Sequence, residues 1–420
     1  MPNVLVILAI LIVIIFIEIN YVINKSIATK TVSFEIITDK DGQRKKIRIR
    51  KSAIKRKSFK WKFPIEYYIS KHLNAVVIEK GIKIIEAETC VRFNKSQKHI
   101  KNRAGINFSS RRRICSSDVG ILEQDLPQPI YLTKYCSDNI GSVLHELGHA
   151  LGLHHEQSRR DRNKYIKIIK RNIPSNLRYN FALEPIHNSQ NFSISYDVTS
   201  IMHYGVYEFS GNDNETILPL DLNYYHQIGQ QNGFTFNDVK LINFLYCNET
   251  CKNNTSLECK NYGYLDPKNC SQCRCPSGFA GVNCTILQPH SNLDDCGTPY
   301  YNATEKEENL NKTGVMNCTF HIKSKHGQIV NLNVTKLIAN PAPDESNGYY
   351  CFTGMGLEIK HKKDTSVTGI CLCNETELPV NIISEGDEVF VMWHASQSNH
   401  TFSLTYKEIN ITTTSPKPLS

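Results

Sequence analysis

The chain has 420 residues, of which 40% are hydrophobic and 21% charged, a composition typical of globular proteins that argues against a fibrous or disordered chain. At roughly 150 residues per domain, this length predicts about three domains. The net charge is +9, but +5 of it lies in residues 1–51, and the rest of the chain gives no reason to expect a nucleic-acid partner.

The chain opens with an uninterrupted apolar run of fourteen residues, 4–17. That length is typical of a signal peptide and short for a membrane span. No Lys or Arg precedes the run, and the sequence stays fairly apolar to Ile23. Residues 1–24 are therefore interpreted as a signal peptide, with an uncleaved signal-anchor as the alternative. The basic segment 25–51 has no evident core and predicts a propeptide, whose run 44–51 suits a basic-specific convertase.

Cysteines and glycosylation sequons indicate an extracellular protein. There are fifteen cysteines, most of them from Cys247 onward, and such usage favours an oxidising compartment because cytosolic thiols are kept reduced. Seventeen N-x-S/T sequons occur, and twelve of them lie at or after Asn248, a clustering that argues against chance alone. A secreted glycoprotein is therefore expected.

Residues 52–247 have the pattern of one mixed domain. An apolar stretch at 65–69 predicts a strand, and Val76, Val77, Ile84 and Ile85 then follow a helical period. Strand and helix within one segment favour an α+β fold.

The segment 145–156 reads His-Glu-Leu-Gly-His-Ala-Leu-Gly-Leu-His-His-Glu. His145 and His149 are four residues apart, so on a helix they lie on one face, and both can reach one metal ion. Gly152 can end the helix in a left-handed cap, which turns the chain so that His155 meets the same ion. Glu146 lies on the adjoining face, where it can hold a water beside the metal and take its proton. The sequence therefore predicts a zinc site with three His ligands and a Glu general base.

The plain alternative is a chance H-E-x-x-H on a structural helix, but a third His and a Gly at these offsets argue against it. His154 lies one position off the pattern and is interpreted as non-ligating. Downstream, residues 200–205 read Ser-Ile-Met-His-Tyr-Gly, a motif that is weak alone and gains weight beside the histidines.

Together, the two segments resemble the astacin family of metzincin proteases, which joins an extended H-E-x-x-H-x-x-G-x-x-H to a Met-containing turn. The resemblance implies one zinc ion per protease domain and an endopeptidase activity. It also implies that Met202 forms an apolar floor below the metal. Tyr204 would be an additional zinc ligand that swings away to stabilise the oxyanion of the tetrahedral intermediate. Without the family, Met202 would be interpreted as core and Tyr204 as a buried tyrosine.

The resemblance extends over most of 52–247. The stretch that contains Trp61 and Pro64 is similar to the start of the mature family domain, and 237–247 is similar to its terminal helix. Four cysteines in the family's order imply the disulfides Cys90–Cys247 and Cys115–Cys136. Glu156 matches the residue that in the family holds the new amino terminus of the mature enzyme, with an ordinary surface Glu as the alternative.

Two features depart from the family. The family has a Gly-Gly step before the edge strand that pairs with substrate, whereas this chain reads Glu-Gln-Asp-Leu-Pro-Gln-Pro over 123–129. Pro127 and Pro129 would remove two backbone donors from that edge, so an altered pairing with substrate is expected. Segment 25–51 also lacks the F-x-G-D motif with which family propeptides block the zinc, which leaves the latency mechanism open.

Residues 248–286 are too few for a core without disulfides. The segment ends in C-x-C-P-x-G-F-x-G-x-x-C, which resembles an EGF-like module with Gly278 and Gly281 in tight turns. A disulfide knot of another type is the alternative. The six cysteines of the segment are Cys251, Cys259, Cys270, Cys273, Cys275 and Cys284.

Residues 296–407 predict an all-β domain, because Val330, Leu332 and Val334 alternate with polar residues, and the same period of two recurs in 389–393 and 402–406. The segment resembles a CUB domain, a β-sandwich, and the resemblance implies a Cys296–Cys318 disulfide. Cys351 would pair with Cys371 or Cys373; we favour Cys373, which leaves one odd thiol. No calcium is predicted, since the acidic residue of calcium-binding CUB domains is missing after Cys351. The tail 408–420 is predicted to be disordered.

As a whole, the sequence favours a multidomain secreted zinc endopeptidase that acts on extracellular proteins, with EGF-like and CUB modules that would bind protein ligands. This order of modules resembles secreted nematode proteases of the astacin family. A catalytically inactive adhesion or matrix-binding protein is the alternative, against which the intact ligands, base and tyrosine argue. A zinc hydrolase of non-peptide substrates would share the helix but gives no reason for residues 200–205.

Overall fold

The computed structural model describes residues 60–184, 189–252, 256–291, 293–339, 351–373 and 378–410. Before residue 60, the backbone forms the short strands β1 (Ile37–Thr38), β2 (Arg44–Lys45) and β3 (Ala53–Ile54). β1 and β2 pair antiparallel with each other. The predicted signal peptide, most of the predicted propeptide and residues 411–420 lie outside the described residues.

A five-stranded sheet forms the first half of the segment 60–247. Its order is β5-β4-β6-β8-β7, in which β5, β4, β6 and β8 run parallel and the edge strand β7 runs antiparallel. β4 has the bounds predicted from its apolar residues, and Ile65 and Tyr67 on it are buried. The strands are β4 (Ile65–Ile69), β5 (Phe93–Lys95), β6 (Gly105–Ser110), β7 (Ser116–Ser117) and β8 (Pro127–Leu132).

The expectation that Pro127 and Pro129 lie in the edge strand is wrong. Both lie in β8, which has β6 on one side and β7 on the other. β7 pairs only with Ile130 and Tyr131 of β8. Before these residues, the backbone pairing between the two segments is replaced by hydrogen bonds of the Gln128 side chain. Its amide accepts from the N–H of Leu122 at 3.1 Å and donates to the carbonyl of Gly120 at 2.9 Å. The outer edge is therefore the segment that follows β7, which the prolines leave untouched.

Helices pack against this sheet. α1 (Ala75–Glu88) is the helix that the apolar period predicts, although Val76 turns outward and is 78% exposed. α2 (Lys134–Asp138) is a short helix, and α3 (Ile140–Ala150) carries the H-E-x-x-H motif. α1 and α3 approach closely at Gly81, where an added Cβ would lie 3.0 Å from Cγ1 of Val143.

Short elements make up the second half. β9 (Ile166–Ile168) and β11 (Ile217–Pro219) pair with each other, and β10 (Ser189–Gln190) pairs with β3. Before, between and after these strands lie short 3-10 helices at Glu156–Ser158, Arg162–Lys164, Lys170–Asn172, Ser175–Phe181 and Leu222–Tyr224. The half ends with α4 (Phe236–Tyr246), within one residue of the predicted terminal helix. Disulfides join Cys90 to Cys247 and Cys115 to Cys136, the pairings that the resemblance implies.

The segment after α4 is held mainly by disulfides. It contains two antiparallel hairpins, β12 (Tyr264–Asp266) with β13 (Asn269–Arg274) and β14 (Phe279–Ala280) with β15 (Ile286–Leu287). Gly278 and Gly281 both have a φ of +86°, which confirms the two tight turns expected of them. The disulfides are Cys251–Cys270, Cys259–Cys273 and Cys275–Cys284.

The C-terminal segment is a β-sandwich preceded by α5 (Leu293–Cys296). Its sheets have the strand orders β16-β18-β23-β20-β21 and β17-β24-β19-β22. The strands are β16 (Tyr300–Asn302), β17 (Glu308–Thr313), β18 (Met316–Lys323), β19 (Gln328–Ile338), β20 (Gly356–Lys360), β21 (Ile370–Leu372), β22 (Val380–Ile383), β23 (Glu388–Ala395) and β24 (Thr401–Asn410).

The predicted alternation is confirmed on β19 and β24, whose predicted inward residues are at most 4% exposed. On β23 the predicted inward residues, Trp393 among them, are buried, but Phe390 and Met392 between them are buried too, so this strand is covered on both faces. β24 runs to Asn410, so the first three residues of the predicted tail are strand instead. Cys296 is bonded to Cys318 and Cys351 to Cys373, while Cys371 is the free, buried thiol.

One apolar cluster joins the second half of the segment 60–247 to the sandwich. Tyr204, Tyr224 and Ile228 share it with the sandwich residues Ile370 and Leu372. The two parts therefore bury apolar surface together. Among the described residues, no helix has both the length and the apolar character needed to cross a membrane.

Candidate metal centre

The end of α3 explains how a third histidine comes near the first two. Gly152 has a φ of +96° and follows the last turn of the helix, as predicted. Its N–H donates to the carbonyl of His149 at 2.7 Å, and the N–H of Leu153 donates to the carbonyl of Gly148 at 2.9 Å. These two bonds form a Schellman motif, which reverses the chain direction so that His155 folds back.

The three ring nitrogens converge. The Nε2 atom of His155 lies 3.0 Å from Nε2 of His145 and 3.0 Å from Nε2 of His149. His149 and His155 are buried, while His145 is partly exposed. The described residues contain this one group of three or more His, Cys, Asp or Glu side chains placed to hold a metal ion.

The surroundings fix the tautomers of two rings. Nδ1 of His145 lies 2.8 Å from the carbonyl of Ile201, and Nδ1 of His149 lies 2.8 Å from the carbonyl of Leu153. A carbonyl only accepts, so each Nδ1 carries the proton and each Nε2 presents a lone pair. Lone pairs that face each other at this distance repel unless a cation lies between them. The donor set therefore fits zinc, which imidazole nitrogens bind in catalytic sites.

Glu146 lies on α3 directly after the first histidine and is 5% exposed. The helix gives it a rigid position beside the triad. α3 is also tied to the outer edge of the sheet, because the N–H of Gly120 donates to the carbonyl of His149 at 2.9 Å. An extended chain that lies along this edge would therefore pass close to the triad.

Met202 packs against α3. It is 2% exposed, and a Cβ added at Gly148 would come within 2.8 Å of its Sδ. The glycine thus lets the turn and the helix pack closely. The Met202 carbonyl also accepts from the N–H of Glu156 at 2.9 Å, which links the turn to the residue after the third histidine.

Tyr204 packs on the triad. Its ring centroid is 4.4 Å from that of His155 at an angle of 61°, and its other neighbours include Phe181 and Phe209. The residue is 8% exposed, and its backbone N–H donates to Oε1 of Gln157 at 3.1 Å. The phenol is therefore held against the third histidine by an apolar surround.

Glu156 is buried and has an ion-pair partner in the uncut chain. Its Oε1 accepts from Nη1 of Arg159 at 2.9 Å and from the N–H of Asp197 at 3.1 Å. Burial raises the pKa of Glu156 to about 7, although Arg159 acts in the opposite direction. The alternative of an ordinary surface Glu does not fit this burial. Whether Glu156 holds a new amino terminus stays a prediction, since residue 52 is outside the described residues.

The sequence reasoning missed Asp238, which holds the Met202 turn. Its Oδ1 accepts from the hydroxyl of Ser200 at 2.6 Å, and its Oδ2 accepts from the N–H of Ile201 at 3.2 Å and of Thr235 at 2.9 Å. Asp238 also completes the capping box of α4 with Thr235. The Thr-x-x-Asp spacing was the signal that could have drawn attention to it.

His154 lies outside the triad. It is buried, and its Nδ1 is 3.9 Å from a carboxylate oxygen of the fully buried Glu184. Its non-ligating role stays a prediction that this placement supports.

Comparison with known proteins places this geometry in context. Residues 53–247 match the Astacin family model, which describes a peptidase family. Zinc metalloproteinase nas-34 of Caenorhabditis elegans is 33% identical over 365 residues, which cover 86% of this chain and 58% of that protein. Zinc metalloproteinase nas-23 of the same species is 32% identical over 335 residues, which cover 77% of this chain and 59% of that protein.

Among solved structures, high choriolytic enzyme 1, a hatching enzyme zinc-protease from the medaka Oryzias latipes, is 32% identical. The match covers 46% of this chain and 98% of that one, with a TM-score of 0.41. The chain spans somewhat under two thirds of the length of the two nematode relatives.

Proposed function

We propose that this chain, which belongs to the astacin family of zinc metalloproteinases through residues 53–247, is an endopeptidase that hydrolyses peptide bonds of extracellular proteins. The observation that carries the proposal is the convergence of three histidine Nε2 atoms, two of them with their proton fixed on the far nitrogen. Glu146 beside them and Tyr204 against the third ring supply the two further groups that peptide hydrolysis needs.

His145, His149 and His155 would hold one zinc ion, which when bound lowers the pKa of a water molecule to about 7 and polarises a carbonyl. Glu146 would orient the attacking water, take its proton and deliver it to the leaving amine. General acid–base catalysis of this kind contributes ~10²–10⁴ in rate.

Tyr204 would stabilise the oxyanion through its phenol, and its ring packing on His155 supports this role. One such donor contributes about 10²–10³ in rate. Met202 would serve as the apolar floor, which its burial and its contact with Gly148 support.

Glu146→Ala in the full-length, processed protein tests the function. The variant should keep its zinc, because all three ligands remain, and lose ~10² or more in turnover, because only the base is removed. The measurements are the metal content by atomic emission and the cleavage rate of casein or gelatin. An active wild type with an equally active, zinc-loaded Glu146→Ala would refute Glu146 as base. A zinc-loaded wild type without any proteolysis would favour the adhesion alternative.

The compartment and the modules belong to the same proposal. Residues 1–24 would act as a signal peptide or a signal-anchor, and the seven disulfides and the sequons support a secreted glycoprotein. Residues 248–286 would be an EGF-like module, supported by their hairpins and three disulfides. Residues 296–407 would be a CUB domain, supported by their two-sheet sandwich. Both modules would bind protein ligands.

Activation would proceed by cleavage within 44–51, with residues 25–51 as the propeptide. A cut after Lys51 frees the α-ammonium of Ser52, whose pKa is about 8, so it is charged at neutral pH. The buried Glu156 would receive it. Since Arg159 already pairs with Glu156, the ammonium would join an existing ion pair, directly or through a water.

Amino-terminal sequencing of the active form and thermal melting of Glu156→Gln test this coupling. We expect a terminus at or near Ser52, and a drop in both melting temperature and activity in the variant, because the buried Arg159 then loses one of its two carboxylate partners and keeps only Asp161. Arg160→Gln is the matched control, since Arg160 contacts the carbonyl of Glu184 and not Glu156. A terminus far from Ser52, or an unaltered Glu156→Gln, would contradict the coupling.

A further inference from the structure

The segment 221–229 lies between Tyr204 and the β-sandwich and contacts both. Its middle is buried, with Tyr224 and Gln227 each 2% exposed. The same apolar cluster that contains Tyr204 contains Tyr224 and Ile228. A displacement of this segment would therefore alter its contacts with both Tyr204 and the β-sandwich.

Toward the sandwich, the segment makes three hydrogen bonds at the start of β21. The amide of Gln227 donates to the carbonyl of Gly369 at 3.1 Å and accepts from the N–H of Cys371 at 2.9 Å. The hydroxyl of Tyr224 donates to the carbonyl of Thr368 at 3.0 Å. The Gln227 side chain thus pairs with the backbone of β21 as a neighbouring strand would.

Toward the metal centre, the segment touches the backbone of Tyr204. Gly229 has a φ of +82°, and a Cβ added to it would lie 2.3 Å from Cα of Gly205 and 3.2 Å from the carbonyl carbon of Tyr204. The two backbones are in direct contact with no side chain between them. Gln227 lies two residues before this contact on the same segment.

A second link starts at the same sandwich loop. The hydroxyl of Thr368 donates to Oδ2 of Asp197 at 3.0 Å. The backbone N–H of Asp197 donates to Glu156, the residue after the third histidine. The loop 361–369 is thus linked to the candidate centre indirectly by two routes, one through the segment 221–229 toward Tyr204 and one through Asp197 and Glu156 toward His155.

We propose that the β-sandwich is part of the catalytic unit, and that Gln227 is a positioning residue through which its 361–369 loop sets the place of Tyr204. The proposal rests on the endopeptidase function above. It gives the C-terminal segment a role in turnover that is separate from binding a protein ligand. Gln227 does not reach the triad itself; it acts through Gly229, Gly205 and the Tyr204 backbone.

The test uses Gln227→Met in the full-length, processed protein, because Met has a similar volume and removes both hydrogen bonds to β21. We expect kcat on a short fluorogenic peptide to fall about tenfold with KM unchanged, since a displacement of 1 Å in a catalytic group can cost ~10²-fold. Gln227→Glu keeps the bond from Cys371 but sets a second oxygen against the carbonyl of Gly369, so kcat should fall there as well; it carries the test if Gln227→Met does not accumulate. Asn223→Ala is the control, because it also removes a hydrogen bond from this segment to the sandwich, at the carbonyl of Asn381, but at a position further from Gly229 and away from β21.

A double-mutant cycle separates positioning from general destabilisation. In a Tyr204→Phe background, the phenol is gone, so Gln227→Met should lower kcat no further. The same fold-loss in both backgrounds, or a lower melting temperature with unchanged kcat, would overturn the proposal. Failure of the endopeptidase function itself would appear differently, as a wild type without activity on any peptide.

Discussion

At the residue scale, the three histidines are held in two different ways. His145 and His149 are fixed by backbone carbonyls at 2.8 Å, whereas His155 packs against the ring of Tyr204. The ligand spacing could be predicted from the sequence because it is local: an i,i+4 pair, then a glycine cap that redirects the chain. The contact of Asp197 with Glu156 could not be predicted in this way. Asp197 is 41 positions from Glu156, and nothing in the sequence places the two together.

Tyr204→Phe separates the phenol from the ring. The ring packing on His155 remains, so zinc content should stay at the wild-type level. The kcat should fall by about 10²–10³ with KM unchanged, since one oxyanion donor is lost. Steady-state kinetics on a peptide substrate measure both constants.

Tyr135→Phe is the matched control, because it makes the same chemical change at an exposed position on α2. If KM rises in Tyr204→Phe while kcat stays at the wild-type value, Tyr204 binds substrate and does not act on the oxyanion.

At the element scale, the site depends on the contact between α3, the Met202 turn and α4. The carboxylate of Asp238 at the start of α4 accepts three hydrogen bonds, two of them from the turn. The end of α3 could be predicted from its glycine cap, and α4 from its resemblance to the terminal helix of the family. That the turn is bonded to α4 depends on tertiary contacts, which periodicity does not contain. The same applies to Pro127 and Pro129, because the sequence predicts a strand there but not its neighbours.

Asp238→Asn should change how stability depends on pH. Burial raises the pKa of Asp238 to about 6 in the folded state, above its ordinary value near 4. As the pH rises, Asp238 therefore loses its proton at a lower pH in the unfolded chain than in the folded protein. The stability that Asp238 contributes is therefore present below about pH 4 and lost as the pH rises through about 6.

Urea unfolding of both proteins between pH 4.5 and 7.5 checks this. The wild type should lose free energy of unfolding relative to Asp238→Asn as the pH rises, and any loss of zinc at low pH is common to both. A difference between the two proteins that stays constant with pH would show that Asp238 keeps an ordinary pKa when folded.

At the scale of the whole molecule, each module can be predicted from local features of the sequence. How the modules pack against one another cannot. Cysteine spacing and period-two alternation are enough to predict a disulfide-rich segment and a sandwich. Gln227 is an ordinary polar residue in the sequence, and its hydrogen bond to Gly369 spans 142 positions. Only the folded chain shows that the sandwich shares a core with the candidate metal centre.

A shared core predicts that zinc stabilises the sandwich as well as the segment that binds it. The chain has two tryptophans: Trp61, whose Nε1 donates to the carbonyl of Ala150 at the end of α3, and Trp393, which is fully buried in the sandwich. In Trp61→Phe, tryptophan fluorescence therefore reports the unfolding of the sandwich alone.

A ligand at 100 times its Kd adds about 2.7 kcal/mol to the free energy of unfolding. If the two parts unfold together, zinc should raise the Trp393 midpoint by several degrees. Trp393→Phe, which leaves Trp61 as the probe, should show the same shift. A Trp393 midpoint that is equal with and without zinc, beside a Trp61 midpoint that moves, would show that the sandwich unfolds independently of the metal centre.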